Sequence, residues 1–168
     1  MIVLITGDFG VGKDTFADML NEDFGEESVK IQSYTTREKR YNTEDTHIFV
    51  DKFTDNGDIV AYTEIEGCQY WTRRNQFGTA RYDIYVVDDI GIREVLAANI
   101  DDTFIIEIQR PKELINVSDL RLNRRRTDFY QYKADAIVRN DTDSLESLFY
   151  VADQLCAYIK KIDGEKHE

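Results

Sequence analysis

The segment Gly7-Asp8-Phe9-Gly10-Val11-Gly12-Lys13-Asp14-Thr15 holds the residues whose types and spacing point most directly to chemistry. It fits G-x-x-x-x-G-K. The apolar run 2–5 leads in, and Phe16, Met19 and Leu20 lead out at helical spacing. Glycines let the backbone turn so that successive N–H groups point into one anion-sized concavity beside the positive end of a helix. Lys13 then reaches β- and γ-phosphates. Gly7, Gly10, Val11, Gly12, Lys13, Asp14 and Thr15 are therefore expected to hold the triphosphate of ATP. Many such loops place a Mg²⁺-binding hydroxyl directly after the Lys, whereas this one has Asp14 there. Thr15 becomes the candidate hydroxyl for a phosphate oxygen or Mg²⁺, and Asp14 suits the dipole of a helix's first turn. The bland alternative is an ordinary glycine-rich turn between strand and helix.

A second cluster, Ser33-Tyr-Thr-Thr-Arg37-Glu-Lys-Arg40, follows a predicted strand, on the side of an α/β sheet where ligands bind. Guanidinium forks at Arg37 and Arg40 suit an acceptor phosphate, and a solvated basic turn is the competing reading. A third cluster comprises Arg121, Arg124, Arg125 and Arg126. On a helix the first three share a face, where they are candidates to cover the charge of a transferring phosphoryl group or to form a solvated cationic surface. Asp88 and Asp89 end another strand. Asp88 is a candidate for Mg²⁺ or the acceptor, and Asp89 is the candidate N-cap of the helix that follows. His47 is the sole histidine outside the tail, which leaves no histidine nucleophile or relay.

These sites require a frame to hold them. A chain of 168 residues accommodates one domain with a substantial core. No apolar run reaches the roughly 20 residues of a membrane span, and the first residues carry no basic leader. Cys68 and Cys156 lie far apart, as inert thiols in a reducing, cytoplasmic compartment would. The net charge of −12 opposes a nucleic-acid polymer as partner, yet a local basic pocket for a small phosphorylated ligand remains compatible with it. Neither a membrane nor a polymer partner is expected, and the chain is read as a monomer or homodimer.

Strands are predicted at 1–6, 28–32, 82–87, 103–108 and 136–138. Helices are predicted at 13–23, 90–98, 119–130 and 144–159, and a polar, frayed tail from Lys160. Residues 47–71 read as an antiparallel insert broken by Asn56-Gly57 and Gly67. Alternating strands and helices predict an α/β three-layer fold of the P-loop NTPase type, a parallel sheet between helices. The core would span about 1–33 and 82–160, the insert about 34–75 and a short Arg-bearing lid about 110–130.

The run S-x-T-T-R-x-x-R after a phosphate-loop helix, then a Tyr-bearing β insert, resembles guanylate kinase. The G-K-D-T form of the loop is similar to that of phage deoxynucleoside monophosphate kinases. The resemblance extends over residues 1 to about 96 and again from 134 to 158. It implies that Ser33, Arg37 and Arg40 contact the acceptor nucleotide. It sets His47 where the family usually has a phosphate-contacting Tyr. Through Glu66-Gly-Cys-Gln-Tyr70-Trp-Thr72 it sets Tyr70 on the family's second Tyr and Thr72 on its base-contacting hydroxyl. Asp88 matches an acid at the strand end, and Arg139-Asn140-Asp141 resembles the segment beneath the adenine of ATP.

The family reads guanine partly with two carboxylates, and here those positions hold Ala61 and Val86. Glu64 and Asp89 are the substitutes a shifted register would offer. The resemblance thus implies ATP- and Mg²⁺-dependent phosphorylation of a nucleoside or deoxynucleoside monophosphate, with the base left open. A P-loop kinase of a non-nucleotide metabolite and a non-catalytic, guanylate-kinase-like binding module are the alternatives.

Overall fold

Ile2, Val3, Leu4 and Ile5 are completely shielded from solvent, as a strand covered on both faces must be. The computed structural model describes residues 1–115 and 132–166. The elements are β1 (Ile2–Gly7), α1 (Lys13–Phe24), β2 (Ser28–Lys30), β3 (Tyr34–Thr35), β4 (Ile48–Phe49), β5 (Ile59–Ile65) and β6 (Cys68–Arg73). They continue with β7 (Tyr82–Val86), α2 (Asp89–Ala98), β8 (Thr103–Gln109), β9 (Ala136–Arg139) and α3 (Leu145–Lys166).

The central sheet has the order β2-β7-β1-β8-β9, and every pair in it is parallel. Side chains alternate across it. Val3 and Ile5 join Phe16, Leu20, Ile84, Ile106, Leu148 and Ile159 in a core shared with α1 and α3. Ile2 and Leu4 join Tyr85, Ile92, Val95 and Ile105 in a second core on the α2 face. Each such side chain contributes roughly 1.5–3 kcal/mol when fully buried. β1 lies between β7 and β8, so the loop leaving its C-terminal end opens where the chain's connections diverge to the two sides of the sheet.

The insert differs from the expected antiparallel sheet. Its order is β4-β3-β6-β5, with β3–β6 and β5–β6 antiparallel but β3–β4 parallel. The connection from Thr35 to Ile48 carries the chain back to the start of β3, so β4 enters in the same direction. Trp71 stacks on Tyr34 at 5.6 Å and meets the edge of Phe53 at 4.9 Å, while Phe53 also meets Tyr62 at 5.1 Å. These aromatics form the insert's own small core. Alternation along β6 sends Tyr70 and Thr72 to the opposite face.

The expected frayed tail is also corrected. Helix α3 continues to Lys166 and turns Asp163 inward, with only 5% of its surface exposed. The Asp163 carboxylate accepts from Arg81 Nε at 2.9 Å and from the Tyr82 hydroxyl at 3.2 Å. Burial alone would raise the Asp163 pKa, but these two hydrogen bonds outweigh it and hold the carboxyl below its ordinary value. Burial, with Asp163 close by, pushes the Tyr82 phenol up to about 12. Asp163→Ala leaves that phenol without its acceptor at a cost of about 2 kcal/mol, so Tm is expected to fall by about 4–8 °C. Thermal melts of Asp163→Ala beside the exposed Lys161→Ala check this, and equal, small shifts in both would contradict it.

Candidate active site

Residues 7–15 turn tightly between β1 and α1. Gly7 has φ 145°, and a Cβ there would lie 2.3 Å from the Ile108 carbonyl oxygen of the neighbouring strand. Gly12 has φ 97°, and its Cβ would lie 3.0 Å from Asn140 Nδ2. A side chain at Gly7 would collide with β8 and one at Gly12 would press on Asn140, so the turn needs glycine at both positions. The Val11 side chain is buried in the core and its carbonyl accepts from Asn140 Nδ2 at 2.9 Å, which anchors the loop at its far end. Lys13 Nζ donates to the carbonyls of Gly7 at 3.0 Å and Asp8 at 2.7 Å, so its charge lies along the loop rather than in solvent. Asp14 and Thr15 stand exposed in the first turn of α1. This arrangement fits a polyphosphate: glycine-lined backbone, an ammonium group and a helix N-terminus converge there.

The acceptor cluster is built around a residue that sequence reasoning missed. Glu44 is 1% exposed and accepts both terminal nitrogens of Arg37, at 2.6 and 3.2 Å. The same carboxylate takes the backbone N–H of Arg40 at 2.6 Å and the hydroxyl of Thr46 at 3.2 Å. The Arg37 guanidinium is the largest cause that holds the Glu44 carboxyl down at about 2. Arg37 Nε is buried and has no hydrogen-bond partner among the described residues. A buried, unanswered N–H on a fixed guanidinium is an anion donor in waiting. The Arg40 side chain is exposed beside it.

Ser33 Oγ lies 3.0 Å from His47 Nδ1, and the His47 ring meets Tyr70 edge-on at 5.6 Å. Burial, and then the charge of Arg37, lowers the His47 pKa, while the Asp14 carboxylate acts on it in the opposite sense. The acceptor cluster follows β2, whose Lys30 pairs with Asp18 at 2.7 Å and Asp14 at 3.9 Å on α1, so cluster and loop open at the same edge of the parallel sheet. Thr72 is fully buried and donates its proton to the Val60 carbonyl at 2.7 Å, so toward a base its hydroxyl can only accept.

Asp88, not Asp89, caps α2. Its Oδ1 accepts the Gly91 N–H at 2.8 Å. Asp89 turns inward instead, where its Oδ1 accepts from the Tyr132 hydroxyl at 2.6 Å and from Thr6 at 3.5 Å. Ala61 is 2% exposed, sits in a β-bulge at φ 56° and packs toward Gly91. Glu64 is exposed and Asp89 is committed elsewhere, so neither supplies a carboxylate in place of Ala61 or Val86. Arg121, Arg124 and Arg125 lie outside the described residues.

Among the described residues, no helix is long and apolar enough to cross a membrane. Both cysteines are unpaired thiols.

No family model matches the chain, and no curated protein does. Among solved structures, guanylate kinase from Anaplasma phagocytophilum matches over 96% of this chain and 85% of its own, with a TM-score of 0.66 and 21% identity. The chain therefore has the P-loop α/β fold of guanylate kinase: a five-stranded parallel sheet between helices, with a small mixed sheet beside it.

Proposed function

We propose that the protein is an ATP- and Mg²⁺-dependent kinase of a nucleoside or deoxynucleoside monophosphate, a single domain with an acceptor-binding insert and a lid. One observation carries the reading. A Lys-bearing loop after β1 and a separate, carboxylate-braced Arg cluster after β2 open at the same edge of one parallel sheet, and Lys30 at the end of β2 pairs with Asp14 beside the loop at 3.9 Å. Two anion sites on one sheet edge suit transfer between two phosphorylated ligands.

In this reading the loop amides and Lys13 hold the donor phosphates, and Arg37, Arg40, His47 and Tyr70 hold the acceptor phosphate. The Arg37 Nε–H, unanswered among the described residues, meets a phosphate oxygen. Ser33 and Thr72 seat the base, and Asn140 borders the donor nucleotide. Thr15 and Asp88 offer oxygen ligands of the kind a hard cation takes, and bound Mg²⁺ would neutralise charge on the β- and γ-oxygens. Arg121, Arg124 and Arg125 would add positive charge around the transferred group. With Ala61 and Val86 where the resemblance expects carboxylates, the site lacks that pair of acceptors for guanine N1–H and N2–H₂, so strict guanine selection is not expected.

The test is ADP formation from ATP and Mg²⁺ across all common NMPs and dNMPs. Turnover with one or a few acceptors supports the reading and identifies the base. ATP binding without turnover on any nucleotide would point to a metabolite kinase. No nucleotide binding at all would leave a non-catalytic module.

A further inference from the structure

Arg110 belongs neither to the phosphate loop nor to the acceptor cluster, yet its guanidinium is heavily engaged. It stands just past the end of β8 with 11% of its side chain exposed. Its Nε donates to the Leu114 carbonyl at 3.1 Å, and one terminal nitrogen donates to the carbonyls of Asn140 at 3.3 Å and Thr142 at 2.8 Å. The other terminal nitrogen pairs with the Asp143 carboxylate. Two of these carbonyls belong to the irregular stretch between β9 and α3, a segment with no ladder of its own to fix it.

Asn140 is tied on its other sides as well. Its backbone N–H donates to Gln109 O at 2.8 Å, and its side chain reaches Val11 O in the phosphate loop. Residues 140–143 thus form a wall beside the loop, braced by Arg110 on one side and joined to Val11 on the other. The acceptor cluster follows β2, whose Lys30 pairs with Asp14 at 3.9 Å, so it meets the loop at the α1 side rather than at this wall. A nucleotide whose terminal phosphate points at the acceptor must carry its nucleoside away from it, past Gly12 and toward this wall.

We infer that Arg110 is a positioning residue for the nucleoside half of the donor nucleotide, acting by fixing the backbone of residues 140–143. The inference rests on the kinase reading above. An unbraced segment would have to be ordered on each binding event, which weakens binding of whatever lies against it. The triphosphate, held by the loop itself, would not sense the change. Lysine is no substitute, because one compact ammonium cannot serve three divergent carbonyls as a planar fork does.

The experiment is calorimetric titration of the full chain with ATP and, separately, with inorganic tripolyphosphate, both with Mg²⁺, for wild type, Arg110→Lys and Arg110→Ala. Arg110→Lys keeps the charge and the stem, so it decides the question if Arg110→Ala fails to fold. The expected result is an ATP Kd raised about tenfold, the 1.4 kcal/mol scale of a lost contact set. Tripolyphosphate affinity, kcat at saturating ATP and the acceptor KM stay at wild-type values. Equal losses for both ligands would make Arg110 a general structural brace and overturn the inference, as would wild-type ATP affinity in Arg110→Lys. Wild type that binds neither ligand would instead overturn the kinase reading on which the inference stands.

Discussion

Lys13→Ala is expected to lower kcat by on the order of 10²–10³-fold, the usual cost of removing one preorganised charge at a transferring group. The reason is placement. Lys13 Nζ is held by two loop carbonyls, Gly7 O and Asp8 O, so its charge already stands at the loop when a phosphate arrives. Phosphoryl transfer asks a protein mainly for such positioned charge, since little covalent chemistry falls to its side chains. The fold should tolerate the change, because the buried side of α1 is made by Phe16, Ala17, Met19, Leu20 and Phe24. Initial rates at saturating ATP and acceptor, beside a thermal melt, check both halves. Wild-type turnover in a folded Lys13→Ala would mean that the loop is not the donor site.

The glycine-rich turn between β1 and α1 was readable because its information is local. Glycine spacing, an apolar strand before it and an amphipathic helix after it all lie within 24 residues of the start, and the structure returns β1 and α1 almost as bounded from pattern. The buried strands β7 and β8 were readable for the same reason, as short apolar runs. What failed was partnership across distance. Asp163 looks like tail polarity until Tyr82 and Arg81, some eighty residues away, supply the hydrogen bonds that bring a carboxylate inside. Asp88 and Asp89 are adjacent acids. Only the backbone direction at the strand end decides which one caps α2 and which one reaches Tyr132. The parallel β3–β4 pair depends on the path of a loop whose residues carry no periodicity. Thr72 matches a base-contacting position by resemblance, but its proton goes to Val60 across the hairpin. Arg37 is legible as a candidate fork, while the carboxylate that fixes it, Glu44, is one acid among many until the fold brings the two together.

That carboxylate gives the second large effect. Glu44→Gln is expected to raise the acceptor KM by about tenfold or more, the scale of a tenfold change per 1.4 kcal/mol of lost binding. ATP affinity should be unchanged. Glu44 holds four groups at once: both terminal nitrogens of Arg37, the Arg40 backbone and Thr46. Glutamine keeps one acceptor oxygen, replaces the other with a donor facing Arg37, and removes the charge that neutralises this guanidinium. Arg37 then loses the orientation that leaves its Nε for a phosphate. Glu44→Asp keeps the charge but is one methylene shorter, so it should fall between the two.

Stability follows with a definite pH signature. The folded-state pKa is depressed from 4.5 to about 2, so the contribution is present in full above about 4.5 and is lost as pH falls from there through 2. The gap in Tm between wild type and Glu44→Gln should therefore be constant from neutral pH down to about 4.5 and narrow below it. Melts across that window, paired with acceptor and ATP KM values, separate a clamp that aims Arg37 from a surface ion pair. An acceptor KM that does not move, or a Tm gap that is absent at neutral pH, would refute the clamp.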